Sequence, residues 1–246
     1  MMPWCAASAL VTELHPNRSV SERWQCSDNC RSTPLPIQPP QFEHSFRDQL
    51  GTLFAWRRDV RRFRSDPVPE TVLQELLAMA NLAPSVGNSQ PWRWVRVSSQ
   101  ALRSEVQANF EATNATAADV YDAKERVEYL KLKLEGLRKA PVQLAIFCDE
   151  STPQGRGLGR QSMPEMLAYS TAISVHAFWL AARARGIGVG WLSILDPRAM
   201  TACLEVPATW KFVAYLCIGY PIEEHTDPEL ARAGWQQREA LQLIER

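Results

Sequence analysis

Five arginines crowd around Asp59 in the stretch AWRRDVRRFRSDPVPE, residues 55–70: Arg57, Arg58, Arg61, Arg62 and Arg64. Guanidinium is permanently charged and forks onto phosphate or carboxylate oxygens, so such a run can hold a phosphorylated ligand while the carboxylate moves a proton. If residues 57–64 continue the helical pattern before them, Arg57, Arg61 and Arg64 share one face and Asp59 lies well round from it. The bland alternative is a solvated basic face. A nucleic-acid patch would need interleaved exposed aromatics or a recognised module, and only Trp56 and Phe63 flank the run, so we expect no nucleic-acid partner.

A second constellation, LAPSVGNSQPWRWV at 82–95, offers Ser85, Gly87, Asn88, Ser89 and Gln90 between a helix end and a strand start, where open α/β architectures bind ligands. It also reads as an ordinary turn. The glycines of GRGLGRQSMPE fit neither phosphate-loop pattern and predict a flexible connection. His176 stands alone in an apolar run, which favours a satisfied core histidine over a metal ligand. Cysteines occur at 5, 26, 30, 148, 203 and 217; Cys26 and Cys30 have no second pair at zinc spacing, so no metal is expected, and Cys148 and Cys217 read as reduced core thiols. Neither G-x-S-x-G nor H-E-x-x-H is present, which leaves serine-hydrolase and zinc-protease chemistry without an anchor.

The elements that must position these groups alternate along the chain. Residues 1–41 lack any apolar period and carry Pro34, Pro36, Pro39 and Pro40, so they are expected to form a disordered extension contributing nothing to a domain that spans 42–246. FRDQLGTLFAWRR has helical spacing. Pro69 opens a second helix that ends at Pro84, with Val72, Leu73, Leu76, Leu77 and Ala80 as its stripe. WRWVRVSS alternates as a half-buried strand, residues 100–137 predict two charged helices, and PVQLAIFCDE, GVGWLSILDP and KFVAYLCIGYP supply three more strands of one sheet. Ser162 and Glu165 predict a capping box for a long helix over 163–185. Its uncharged run, residues 166–182, contains Tyr169, Ser170, Thr171, Ser174 and His176 and falls short of the ~20 apolar residues a bilayer needs, so the helix is expected inside a protein or a dimer.

With 246 residues, 46% hydrophobic, the chain can bury a substantial core, and 27 basic against 27 acidic residues give no global field to attract nucleic acid or acidic membrane. The first residues carry no basic segment followed by a long apolar run, so no export signal and a cytoplasmic location are expected.

RRDVRRFRSDPVP followed by LAPSVGNSQPW resembles the nitroreductase-like flavoprotein superfamily, whose members carry an Arg-Arg-Ser-Val-Arg type segment and then Ala-Pro-Ser and Gln-Pro-Trp. The likeness runs from about Phe42 to the C-terminus. Asp59 in place of the usual Ser, GLGRQSMPEMLAYS, GVGWLSILDP leading into AYLCIGYP, and DPELARAGWQQR are similar to the branch that forms 5,6-dimethylbenzimidazole. The resemblance implies an α+β fold with a central mixed β-sheet flanked by helices in one domain. It further implies a homodimer that takes reduced FMN as substrate and molecular oxygen as co-substrate, supplied with FMNH2 by a separate flavin reductase.

On that resemblance Arg57, Arg58, Asp59, Val60, Arg61, Ser85, Leu134, Leu192 and Ser193 contact the flavin, with Asp59 and Ser193 catalytic. Arg57, Arg58 and Arg61 answer the phosphate and the electron-rich pyrimidine; Arg62 and Arg64 are surface, and Leu134 and Leu192 read equally as core packing. Burial would raise the Asp59 pKa and neighbouring arginines would lower it. Two rivals remain: an NAD(P)H-dependent nitroreductase that recycles FMN, and a non-catalytic flavin-binding protein needing neither Asp59 nor Ser193.

Overall fold

A strand buried on both faces needs an unbroken apolar run, and Val142–Asp149 (β2) is buried along its whole length. The computed structural model of the protein describes residues 39–131 and 135–246. Leu134 and almost all of the predicted extension lie outside them. β2 pairs antiparallel with Trp92–Arg96 (β1) and Trp210–Gly219 (β4), and β4 pairs antiparallel with Gly188–Leu192 (β3), giving the order β1-β2-β4-β3. The sheet expected to be mixed is thus antiparallel between all its strands, and among the described residues a parallel pairing occurs only as an isolated bridge between Asp59 and Val189.

Alternate residues of the two central strands feed two cores. Leu144, Ile146, Leu216 and Ile218 face Leu73, Leu76 and Ala80 of Glu70–Ala80 (α2) and Val175, Phe178 and Ala182 of Met166–Ala184 (α6). Ala145, Phe147, Tyr215 and Cys217 face Val106 of Gln100–Ala118 (α3), Leu137 of Gly136–Lys139 (α5) and Met200 of Pro197–Cys203 (α7). Ala123–Lys131 (α4) follows α3, so the two helices expected over 100–137 are present with α5 as a short third. The sheet is therefore a filled layer between helices, as period-two alternation dictates for a strand with two buried faces.

In α6 the buried hydroxyls are satisfied: Thr171 donates to the Leu167 carbonyl one turn back and Ser174 to that of Ala80 at the end of α2. Two expectations for this helix fail. It begins at Met166 without a capping box, because Ser162 donates instead to the Gly159 carbonyl within a turn. His176 is exposed, set against Phe54 with ring centroids 6.0 Å apart, so it is no core histidine; the partial covering of its ring and the Arg57 charge lower its pKa. α2 ends at Ala80, four residues before Pro84. Among the described residues no helix is long and apolar enough to cross a membrane.

Candidate functional site

The arginine run is not helical. His44–Trp56 (α1) stops at Trp56, Arg57 is already extended, and the segment runs beside β3 as an irregular extra strand. The expected face of Arg57, Arg61 and Arg64 is thereby corrected: Arg57 lies over Trp179, Arg64 over Tyr220, and Arg61 turns to Asp59. What captures the segment is a gap in β3. A Cβ at Gly188 would meet the Val60 side chain and one at Gly190 would collide with the Val60 carbonyl oxygen, so two glycines let the backbones approach. Val60 donates to the Val189 carbonyl at 3.1 Å and Arg64 to that of Tyr220 at 2.8 Å. Phe63 buries itself in the α3-side core, contributing about 1.5–3 kcal/mol toward the cost of ordering the segment.

This docking places Asp59. Its Oδ1 accepts from the Trp191 amide at 2.9 Å and its Oδ2 from Arg61 Nε at 3.4 Å. Burial raises the Asp59 pKa, only partly offset by the Trp191 amide and Arg61, and Glu229 pushes the same way as burial. The balance that the sequence left open falls to desolvation.

The five arginines divide by partner. Arg62 pairs with Glu223 and Glu229, and Arg64 with Asp66. Arg61, only 11% exposed, lies between Asp59 and Glu229, so of the three expected anion-holding arginines it is already compensated. Arg57 stacks over Trp179 at 4.7 Å, and Arg58 donates to the Thr226 carbonyl. Neither makes an ion pair among the described residues, and the like charge of Arg238 adds to burial in lowering the pKa of both. Asp59 and Asp227 act on them only through space, so these two guanidinium groups are left to take an anion such as a phosphate.

Asp59 and Arg61 also line a cavity of about 250 Å³ with Asn114, Tyr121, Tyr129, Trp191, Leu192, Ser193, Leu230 and Trp235. Tyr121 packs edge-on against Trp235 with centroids 5.4 Å apart, bringing the turn after α3 against the chain beyond Glu229–Arg232 (α8). Ser193 is exposed on this wall, while Leu192 is both core and lining. Flat aromatic walls beside a carboxyl suit a planar conjugated ring, and Arg57 and Arg58, outside this lining, are the arginines left for a phosphate chain, so the residues present fit FMN. Ser85 is not gathered here: it accepts from the Gln90 amide within its own loop. Tyr121, Tyr129, Trp235, Glu229 and Arg238 were not singled out from the sequence, although DPELARAGWQQR, which carries the resemblance, contains Glu229, Trp235 and Arg238.

Residues 54–220 match the family model described as the nitroreductase family. A curated 5,6-dimethylbenzimidazole synthase of Rhodospirillum rubrum is 57% identical, with 84% of this chain and 98% of the relative covered. One from Rhodobacter capsulatus is 50% identical, covering 80% of this chain and 95% of the relative. Among solved structures, oxidized iodotyrosine deiodinase bound to FMN and 3-iodo-L-tyrosine superposes with a TM-score of 0.63 at 24% identity, over 80% of this chain and 97% of that one. With fold, motif order and full-length identity in agreement, the chain belongs to the nitroreductase family, in the branch that these two synthases represent.

Proposed function

We propose that residues 42–246 form a domain that fragments reduced FMN with molecular oxygen and releases 5,6-dimethylbenzimidazole, the lower ligand of vitamin B12. The observation that carries this reading is Asp59: a carboxyl with its charge disfavoured by burial, its oxygens fixed by Trp191 and Arg61, lining the same cavity as Ser193. Relatives 57% and 50% identical over nearly their whole length are named for this activity. Bound reduced FMN supplies the electrons and the ring that oxygen opens. The chain supplies proton control at Asp59, a hydroxyl at Ser193, and aromatic walls that exclude water. Because the flavin is consumed, a separate flavin reductase must deliver each FMNH2, in a cytoplasm where Cys148 and Cys217 stay reduced.

Excess reduced FMN given to the purified protein in air should lose its isoalloxazine, with 5,6-dimethylbenzimidazole found by mass spectrometry beyond one equivalent per subunit. Recovery of intact FMN would overturn the reading. Rapid reduction of bound flavin by NAD(P)H and reoxidation by a nitroaromatic would install the reductase instead.

Arg57 and Arg58, joined by Arg238, hold the phosphate. FMN should therefore bind at least tenfold more tightly than riboflavin, one charge-assisted contact being worth about 1.5–3 kcal/mol. Arg57→Ala should erase most of the difference in a fluorescence titration; equal affinities in the unmodified protein would reduce the cluster to a basic surface.

The site is completed by a second copy. No residue of α1 is buried, and Phe46, Leu50 and Phe54 expose an apolar face beside Tyr169 and Ile173 of α6. A cavity of about 250 Å³ is smaller than the ~300–1,000 Å³ of ligand pockets, and Ser85 can reach a flavin only if another copy presents its loop. Light scattering should give twice the 27.8 kDa chain mass, and Leu50→Glu should give monomers that bind FMN poorly. A monomer with full affinity would contradict this.

A further inference from the structure

The segment that follows β4 clamps the arginine run from outside. Arg58 donates to the Thr226 carbonyl, Arg62 pairs with Glu223, and Glu229 reaches two arginines at once: Oε2 lies 3.7 Å from Arg61 Nε and Oε1 lies 3.5 Å from Arg62 Nη1. Glu229 is itself only 22% exposed. Arg61 therefore sits between two carboxylates, Asp59 on its own segment and Glu229 on α8, and both approach the same Nε, whose single hydrogen they share. A guanidinium committed to one carboxylate strongly favours the charged form of that group; one shared with a second anion does so much less.

We propose that Glu229 is a positioning residue for Asp59: it shares the Arg61 guanidinium, itself anchored through Arg62, and so leaves Asp59 available as a proton donor at the site. Every group that faces Asp59 bears on this. Arg57 and Arg61 on its own segment and the Trp191 amide of β3 favour its anion. Glu229 opposes it, and Cys217 of β4 is a neutral thiol pushed up to about 12, chiefly by burial. Glu229 supplies the opposing charge, and its removal gives Arg61 to Asp59 alone.

The inference rests on Asp59 being the group that handles protons, so its test avoids the reaction. Flavin-free protein with 13C-labelled aspartate is titrated by NMR, with Asp59→Asn assigning the signal. Glu229→Gln should lower the Asp59 midpoint by about one pH unit, and Glu229→Asp should leave it near that of the unmodified protein. Arg62→Gln should raise it, because Glu229 is then free to engage Arg61. A general loosening of the segment would move both variants the same way, toward an ordinary carboxylate. An unmoved midpoint in Glu229→Gln, or a fall in Arg62→Gln, would overturn the role. Failure to form 5,6-dimethylbenzimidazole would strike only the functional reading and leave this titration standing.

Discussion

Asp59→Asn should bind FMN within a few-fold of the unmodified protein and form product about 10²- to 10⁴-fold more slowly, the usual contribution of a positioned acid or base. The amide oxygen can still accept from Trp191 N, so the segment remains docked, and what disappears is the exchangeable proton. The pH dependence has a definite sign. Burial raises the Asp59 pKa, so a step needing protonated Asp59 runs below that raised value and fails as pH climbs through it. The falling limb should thus lie above the ordinary carboxylate range and vanish in Asp59→Asn.

The same shift makes a stability claim. In the folded state Asp59 binds its proton more tightly than in the unfolded chain, so its contribution to stability is present at low pH and lost as pH rises through the folded value. A neutral asparagine escapes that loss, and Asp59→Asn should melt no lower than the unmodified protein at neutral pH. Unchanged product formation in this variant, followed by mass spectrometry beside a thermal melt, would remove Asp59 from the chemistry.

Gly190→Ala should have the largest structural effect. Its methyl would lie on the Val60 carbonyl oxygen, a backbone atom with no rotamer to escape into, so residues 58–62 must lift from β3. The Val60–Val189 bond and the Asp59–Trp191 bond then go together. Overpacking of this kind costs about 1–3 kcal/mol, or roughly 2–12 °C in melting temperature at 2–4 °C per kcal/mol. FMN affinity should fall by about 10- to 100-fold, since a charge-assisted contact worth about 1.5–3 kcal/mol is misplaced. Gly188→Ala is the graded comparison: its methyl meets only the Val60 side chain, which can turn, so both effects should be smaller. Parental affinity and melting temperature in Gly190→Ala would refute this account of how the arm is held.

The two central strands, α2 and α6 were readable because their signals are local: an apolar run, a stripe of Leu73, Leu76 and Ala80, a stretch free of charge. The arginine segment was misread for the opposite reason. Its extended form depends on two glycines some 130 positions later, and nothing within residues 57–64 announces that edge. Which arginines keep their charge for a ligand was hidden likewise, since the carboxylates that occupy Arg61 and Arg62 come from residues 223–229. Of the residues expected at a flavin site, Asp59, Arg61, Leu192 and Ser193 line one cavity and Ser85 does not. His176 was placed in a core because an uncharged helix looks buried all round, whereas one side of α6 faces outward in the chain taken alone.

β3 closes one end of its sheet, and a bare strand end-row of Gly-Val-Gly-Trp-Leu is a template on which other polypeptides can assemble. The arginine segment is what covers it, short, irregular and cationic, which is poor material for further pairing. With a formal net charge of +0 the molecule has little general repulsion to keep copies apart, so this local shield matters more than it would in a strongly charged protein. Ligand capture and solubility are thus carried by the same eight residues: a change that frees the segment from β3 disables the site and also exposes a seed for precipitation.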